Sequence, residues 1–144
     1  MKFLPWGLSV LGILILCMGC KAPEIGLTPA GLLPCPDSPN CVTSQTKTGK
    51  QAVSPLTYST DKATAFEKIK QIVSNQDNAT IVAETNNYLH VEFRSKFMGF
   101  VDDMEFWFPE DQPVIHLRSA SRLGYSDFGV NRKRVQHIRT LFTK

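Results

Sequence analysis

The sequence predicts an α+β fold, a two-layer sandwich in which two helices pack on one face of a four-stranded antiparallel sheet. Three patterns indicate this fold: a helical repeat of apolar residues near position 70, four alternating stretches between positions 80 and 118, and a second helical repeat near the C-terminus. One domain is expected for a chain of 144 residues.

Helical spacing places the two helices at the two ends of this domain. The first is expected over about 61–76, where Thr60 and Asp61 offer an N-cap and a first-turn acid. The second is expected to begin near Ser126 and Asp127. The apolar stripes are Phe66, Ile69, Ile72 and Val73 in the first helix and Val135, Ile138, Leu141 and Phe142 in the second.

Alternation of apolar and polar residues indicates the four strands, over 80–84, 88–94, 100–108 and 115–118. An antiparallel sheet commonly has one face in contact with solvent. The residues expected on that wet face are Tyr88, His90, Glu92, Arg94, Asp103, Glu105, Trp107, His116 and Arg118. They form either a ladder of salt bridges or a polar groove for a ligand. A further alternative is a metal held by the two histidines with a glutamate.

The first twenty residues indicate export and lipidation. Lys2 precedes an apolar run that stops at Gly19 and Cys20, which is typical of a secretory signal that ends at a lipidated cysteine. The site is similar to the bacterial lipobox, although Cys17 stands where that pattern has leucine. The alternatives are an uncleaved membrane anchor, for which the run is short, and plain secretion.

The expected domain boundaries follow from this assignment: a signal peptide over 1–19, a lipidated tether rich in proline and glycine over 20–34, and a domain over 35–144. By resemblance to bacterial sorting rules, Lys21 favours an outer membrane facing the periplasm if the cell has two membranes. Cleavage before Cys20 removes one of 16 basic residues and none of 13 acidic ones, so the net charge falls from +3 to +2. So small an excess argues against a nucleic acid as partner.

Cys35 and Cys41 are the two cysteines of the expected domain. In an exported protein such a pair is expected to form a disulfide that closes a small loop. Zinc ligation lacks further cysteines or a histidine pair at zinc spacing, and redox catalysis needs a shorter motif that opens a helix.

Three segments carry a resemblance to a known family: Cys35 to Gln45, Gly99 to Asp103, and Arg118 to Arg134. In this order they resemble the family called domain of unknown function 1499, found in bacteria and plants, from about Leu33 to the C-terminus. Thr43 and Lys133 depart mildly from its pattern. The resemblance implies a family with no established activity.

A candidate site for an anionic ligand combines arginines with the expected N-terminus of the last helix, where free N–H groups suit a carboxylate or phosphate. Its residues are Asp102, Asp103, Arg118, Arg122, Asn131, Arg132 and Arg134. The alternative is that the aspartates neutralise these arginines inside the domain. No catalytic residue, cofactor or metal site is predicted, because the sequence lacks a phosphate loop, a nucleotide fingerprint and a metal-binding helix.

The sequence therefore predicts a lipoprotein of the cell envelope, anchored to the membrane through Cys20. It is expected to act as a binding or envelope-maintenance module for an anionic small molecule or an envelope protein. The competing hypothesis is an envelope hydrolase or other enzyme that uses Asp102, Arg118 and Arg122.

Overall fold

A computed structural model of the chain describes residues 24–144. The predicted signal peptide, the lipidation site Cys20 and the first residues of the tether lie outside the described residues. The described part contains two helices, α1 (Lys62–Ser74) and α2 (Val130–Phe142). Its strands are β1 (Leu27–Thr28), β2 (Gly31–Leu32), β3 (Cys41–Thr43), β4 (Leu56–Thr57), β5 (Ala79–Glu84), β6 (Tyr88–Arg94), β7 (Val101–Trp107) and β8 (Val114–Ser121).

The predicted fold class is wrong, because the protein is mostly β. Six strands form one sheet in the order β3-β8-β7-β6-β5, with β4 also paired to β8, and β1 and β2 form a second sheet. All of these strand pairs are antiparallel. The unpredicted strands are two or three residues long, and β3 and β4 pair with a strand that is distant in the sequence. Local alternation cannot reveal strands of that length.

The two helices and the four long strands that the sequence indicates are present. Helix α1 begins after Asp61, whose carboxylate accepts the Thr64 N–H at 2.9 Å, as expected for an N-cap. Both helices bury an apolar stripe, and the core also contains the side chains of neighbouring strand residues. Its central members are Phe66, Ile69, Val73, Leu89, Phe106, Leu117, Val135, Ile138 and Phe142.

The opposite face of the large sheet is not the wet face that the alternation predicts. His90, Asp103, Glu105 and Arg118 are all buried there. The β1–β2 hairpin contacts β7 and β8, and Gly31 approaches so closely that a Cβ atom would stand 2.7 Å from Cζ3 of Trp107. The prediction failed because charged residues are usually exposed, whereas these have partners and a cover.

The segment before β3 carries two of the sequence predictions. Cys35 and Cys41 form a disulfide with a Cα–Cα distance of 5.7 Å, which confirms the predicted pairing. Residues 24–34, expected to be part of the tether, contain the β1–β2 hairpin, in which Leu33 N–H donates to the Gly26 carbonyl at 3.2 Å. This stretch is therefore an ordered element of the fold.

Candidate functional site

A buried carboxylate, that of Glu105, lies at the centre of the covered sheet face. Glu105 is 0% exposed, and its Oε1 accepts hydrogen bonds from the Tyr88 hydroxyl at 2.8 Å and the Gly26 N–H at 2.6 Å. Its Oε2 accepts from Nη1 of Arg118 at 2.8 Å. Burial, followed by the Glu105 charge, raises the pKa of Tyr88, so the hydroxyl remains a donor. The cluster joins three strands and fastens the N-terminal hairpin to the sheet.

A second cluster on the same face surrounds Asp103. Arg122 binds its carboxylate in a bidentate manner, at 2.8 Å from Nε and 2.7 Å from Nη2, and also contacts Glu92. Nε2 of His90 lies 2.7 Å from Oδ1 of Asp103. Burial alone would raise the pKa of Asp103, but hydrogen bonds from Arg122 and His90 outweigh it and lower the pKa to about 2. The carboxylate is therefore ionised near neutral pH, and His90 holds a proton on Nε2.

Asp102 points to the helix side of the sheet. Its Oδ2 accepts from Nη2 of Arg134 at 2.6 Å, and the same guanidinium lies over the Phe93 ring with 4.6 Å to its centroid. Nη1 of Arg134 donates to Oδ1 of Asn131 at 2.6 Å. Asp102 and Asp103 are adjacent residues of β7 and therefore face opposite sides of the sheet.

Asn131 is completely buried at the start of α2. Its Nδ2 donates to the Asn40 carbonyl at 3.1 Å, the Ser121 hydroxyl at 3.0 Å and the Asp127 carboxylate at 2.9 Å. Backbone N–H groups of Gly129 and Asn131 also donate to Asp127, which lowers the pKa of that carboxyl against the effect of burial. The N–H groups that were expected to bind an anion therefore already have an internal anionic partner.

The predicted ligand-binding residues do not form one site. Asp103, Arg118 and Arg122 lie on the hairpin side of the sheet, and Asp102, Asn131 and Arg134 lie on the helix side. Each of the three arginines is paired with a carboxylate within the domain. This arrangement is the internal neutralisation that the sequence left as the alternative.

Arg132 is the predicted site residue that faces an open groove. The groove lies between α2 and residues 44–55 and has a volume of about 780 Å³. Among residues 24–144, four cationic side chains and no acidic one line it. The four are Lys47, Arg132, Lys133 and Arg139.

Backbone carbonyls hold two of these cations in place. Arg132 donates to the carbonyls of Ala52, at 3.0 Å, and Lys50, and Arg139 donates to those of Pro55, at 3.0 Å, and Ser54. Burial lowers the pKa of Arg139, as expected for a cation with no carboxylate partner between residues 24 and 144. These carbonyls are neutral, so the positive charge of the groove is not cancelled locally.

Sequence reasoning missed Lys47, Lys133 and Arg139 as members of this group. A signal for Arg139 was present, because Arg132, Gln136 and Arg139 share one helical face at spacings of four and three. Lys47 lies in a loop, and nothing in the sequence places that loop beside α2.

Other chemistry is limited on the described part of the chain. Ser44 Oγ lies 3.1 Å from Nδ1 of His116, and burial lowers the pKa of this histidine. The Ser44 oxygen also accepts the Leu117 N–H at 2.9 Å, and Trp107 stacks on the imidazole ring. Between residues 24 and 144 no carboxylate hydrogen-bonds to His116, and no three His, Cys, Asp or Glu side chains are grouped so that they could hold a metal ion.

Within residues 24–144, neither helix has the length and apolar character that crossing a membrane requires.

Comparison with known proteins identifies the family of this chain. No curated protein and no solved structure matches the sequence. A family model described as protein of unknown function (DUF1499) matches residues 31–142, which is most of the chain. The chain therefore belongs to the DUF1499 family.

Proposed function

We propose that this protein is a lipid-anchored binding module of the cell envelope, and that it holds an anionic ligand or partner segment in the groove between α2 and residues 44–55. The observation that carries the binding role is the set of four cations in a groove to which the described part of the chain contributes no acidic residue. Elsewhere in the domain, buried or half-buried arginines have carboxylate partners. A carboxylate or phosphate group would supply the missing negative charge.

The proposed anchor rests on the sequence before the described domain. Lys2, the apolar run and Cys20 suit cleavage and acylation, and two or more acyl chains anchor a protein stably. The Cys35–Cys41 disulfide supports a location in an oxidising compartment, since disulfides persist mainly outside the cytosol. We place the protein in the cell envelope, on an outer membrane facing the periplasm if the host has two membranes.

Mass spectrometry of the detergent-extracted protein tests the anchor. We expect a chain that begins at Cys20 and carries acyl groups, and we expect it in the membrane fraction. The Cys20→Ser variant should lack the acyl mass. An intact chain that still begins at Met1 and stays in the soluble fraction would contradict the anchor.

Titration with two anionic probes tests the groove: a fluorescent hexaglutamate peptide and inorganic pyrophosphate. An ion pair at 4 Å is worth about 1 kcal/mol in water, and charge reversal turns this attraction into a repulsion. We therefore expect Lys47→Glu and Lys133→Glu each to weaken binding by about tenfold or more. Lys96→Glu makes the same charge change outside the groove and should leave affinity unaltered.

Two results would contradict the proposal that the groove binds an anion. One is the absence of binding by either probe at low ionic strength. The other is an equal loss of affinity in Lys96→Glu and Lys133→Glu, which would indicate attraction to net charge alone. Binding of pyrophosphate but not hexaglutamate would assign a phosphate ligand, and the reverse would assign an acidic peptide.

The alternative of an envelope hydrolase built on Asp102, Arg118 and Arg122 finds no support in the geometry. Asp102 lies on the other side of the sheet from the two arginines. Arg118 is 1% exposed and paired with Glu105, so a substrate could not reach it without opening the sheet.

A further inference from the structure

Two loops at one end of the domain expose large apolar side chains. One loop, 95–100, joins β6 to β7, and the other, 122–129, joins β8 to α2. Exposed apolar groups of this size and number commonly mark an interaction surface. The six residues and their exposed fractions are Phe97 (99%), Met98 (70%), Phe100 (49%), Leu123 (53%), Tyr125 (75%) and Phe128 (90%). We call them the apolar end.

Strand pairing puts both loops at the same end of the sheet. Arg94 pairs with Val101 where β6 and β7 meet their connecting loop. Arg122, the first residue after β8, donates its N–H to the Val101 carbonyl at 3.1 Å. The two loops therefore leave the sheet side by side and in the same direction.

The backbone holds one of these rings outward at an energetic cost. Phe128 has φ of 53°, a left-handed conformation that bulky residues rarely adopt. It is the one non-glycine residue with positive φ among residues 24–144. Such strain concentrates at functional positions, and here it accompanies a phenylalanine ring that is almost fully exposed.

The polypeptide enters the domain from this same end. Strand β2 runs toward the Cys35–Cys41 disulfide, and Cys41 pairs with Ala120 near the end of β8. Because β1 is antiparallel to β2, β1 runs the opposite way, and residues 24–26, which precede it, lie on the disulfide side. The Ser121 N–H donates to the Asn40 carbonyl, so that side is also where the 122–129 loop begins.

The proposed anchor is close in sequence to this point of entry. Cys20 precedes Glu24 by four residues, and an extended chain covers at most about 3.3–3.6 Å per residue, or about 14 Å in total. An acylated Cys20 would therefore hold the apolar end within a short distance of the bilayer surface.

Charge at the apolar end also suits a lipid surface. Arg94 and Lys96 are exposed beside Phe97, and no acidic residue occurs from Phe93 to Val101. Aromatic and apolar side chains flanked by cations favour the headgroup boundary of an anionic bilayer. The one acid of the other loop, Asp127, is occupied by the N–H groups of Gly129 and Asn131.

We propose that the apolar end lies against the lipid bilayer and inserts Phe97 and Phe128 into its headgroup region, so that the domain has a fixed orientation on the membrane. This inference rests on the proposed lipid anchor at Cys20. The occupant of the apolar end is the lipid surface into which the acyl chains insert.

Tryptophan placed at the apolar end reports its depth directly. The lipidated full-length chain is reconstituted into phosphatidylethanolamine and phosphatidylglycerol vesicles that carry brominated acyl chains, as Phe97→Trp, Phe128→Trp or Gln112→Trp. Gln112 is exposed in the turn between β7 and β8, at the opposite end of the sheet. Emission of the parent chain is subtracted from that of each variant.

We expect the introduced tryptophans of Phe97→Trp and Phe128→Trp to lie about 5–10 Å into the boundary between headgroups and acyl chains. Their fluorescence should therefore shift to the blue, and the brominated chains should quench about half of it. The added emission of Gln112→Trp should stay red-shifted and unquenched. Red-shifted, unquenched emission from all three variants would overturn the proposal, and blue-shifted but unquenched emission would overturn it in favour of a protein partner or second copy on this surface. Both results would leave the anchor intact, provided that the acyl mass and the membrane fraction are those expected for Cys20.

Discussion

Replacement of Glu105 or Arg118 tests how much the buried ion pair contributes to the stability of the domain. Both residues are almost completely inaccessible, and the Oε2–Nη1 distance is 2.8 Å. Removal of one partner leaves the other charge buried and uncompensated, which costs about 3–5 kcal/mol. Domains of this kind are stable by about 5–15 kcal/mol in total. We therefore expect Glu105→Gln and Arg118→Met each to consume a large fraction of the free energy of unfolding.

The double variant should lose less than the sum of the two single variants. Replacement of a whole buried pair by uncharged groups is often nearly neutral, since desolvation of two charges offsets most of their attraction. Nε of Arg118 is buried and has no hydrogen-bond partner in the described part of the chain, so the pair is not fully satisfied. We expect a coupling energy of about 2 kcal/mol or more between the two positions.

Urea unfolding at pH 7, followed by far-UV circular dichroism, measures these free energies. A matched control is the exposed pair of Lys70 and Glu84, whose atoms lie 2.7 Å apart. Its coupling should stay below about 1 kcal/mol. Should the single variants fail to fold, a folded Glu105→Gln/Arg118→Met chain would still show the coupling. Single variants within about 1 kcal/mol of the parent protein would refute the reasoning.

Three further outcomes follow from other contacts. The pKa of Asp103 is lowered from about 3.9 in an unfolded chain to about 2. The ionised carboxylate therefore stabilises the folded domain by about 2–3 kcal/mol above pH 4, and this contribution is lost as the pH falls toward 2. Asp103→Asn should remove that part of the acid unfolding profile. Reduction of Cys35–Cys41, which closes a loop with a sequence separation of 6, should lower the free energy of unfolding by about 2 kcal/mol in a denaturant titration. Asn131→Ala should cost about 3 kcal/mol by thermal unfolding because several buried polar groups lose their partner, whereas exposed Lys133→Ala on the same helix should stay within about 0.5 kcal/mol.

The sequence was sufficient for elements whose stability is encoded locally. The apolar stripe identified α1 within two residues of its observed ends, because a helix repeats its pattern over several turns, although Asp61 is the N-cap in place of Thr60. It was insufficient for β3 and β4, whose two or three residues form a strand only through pairing with β8. The information that defines such strands lies in distant residues.

The same distinction explains what happened to the candidate site. The alternation of side chains along a strand correctly placed Asp102 and Asp103 on opposite faces of the sheet, since the facing of a residue depends on its own strand alone. It could not show that Glu105 faces Arg118 on the neighbouring strand, because cross-strand register depends on loop lengths and on the partner strand. Glu105 and Arg118 therefore looked exposed although they are paired inside the domain.

The Glu105 cluster also bears on how an anchored domain would keep its orientation. Within residues 24–144, the hydrogen bond from the Gly26 N–H to Glu105 attaches the N-terminal segment to the middle of the large sheet, and the Cys35–Cys41 disulfide joins the same segment to β3. Because the Gly26 hydrogen bond holds this segment against β7 and the disulfide joins it to β3, a pull on the proposed lipid anchor would be transmitted to the sheet. A buried ion pair that contributes little net stability would then have a second role, because its carboxylate also holds the segment that follows the proposed anchor.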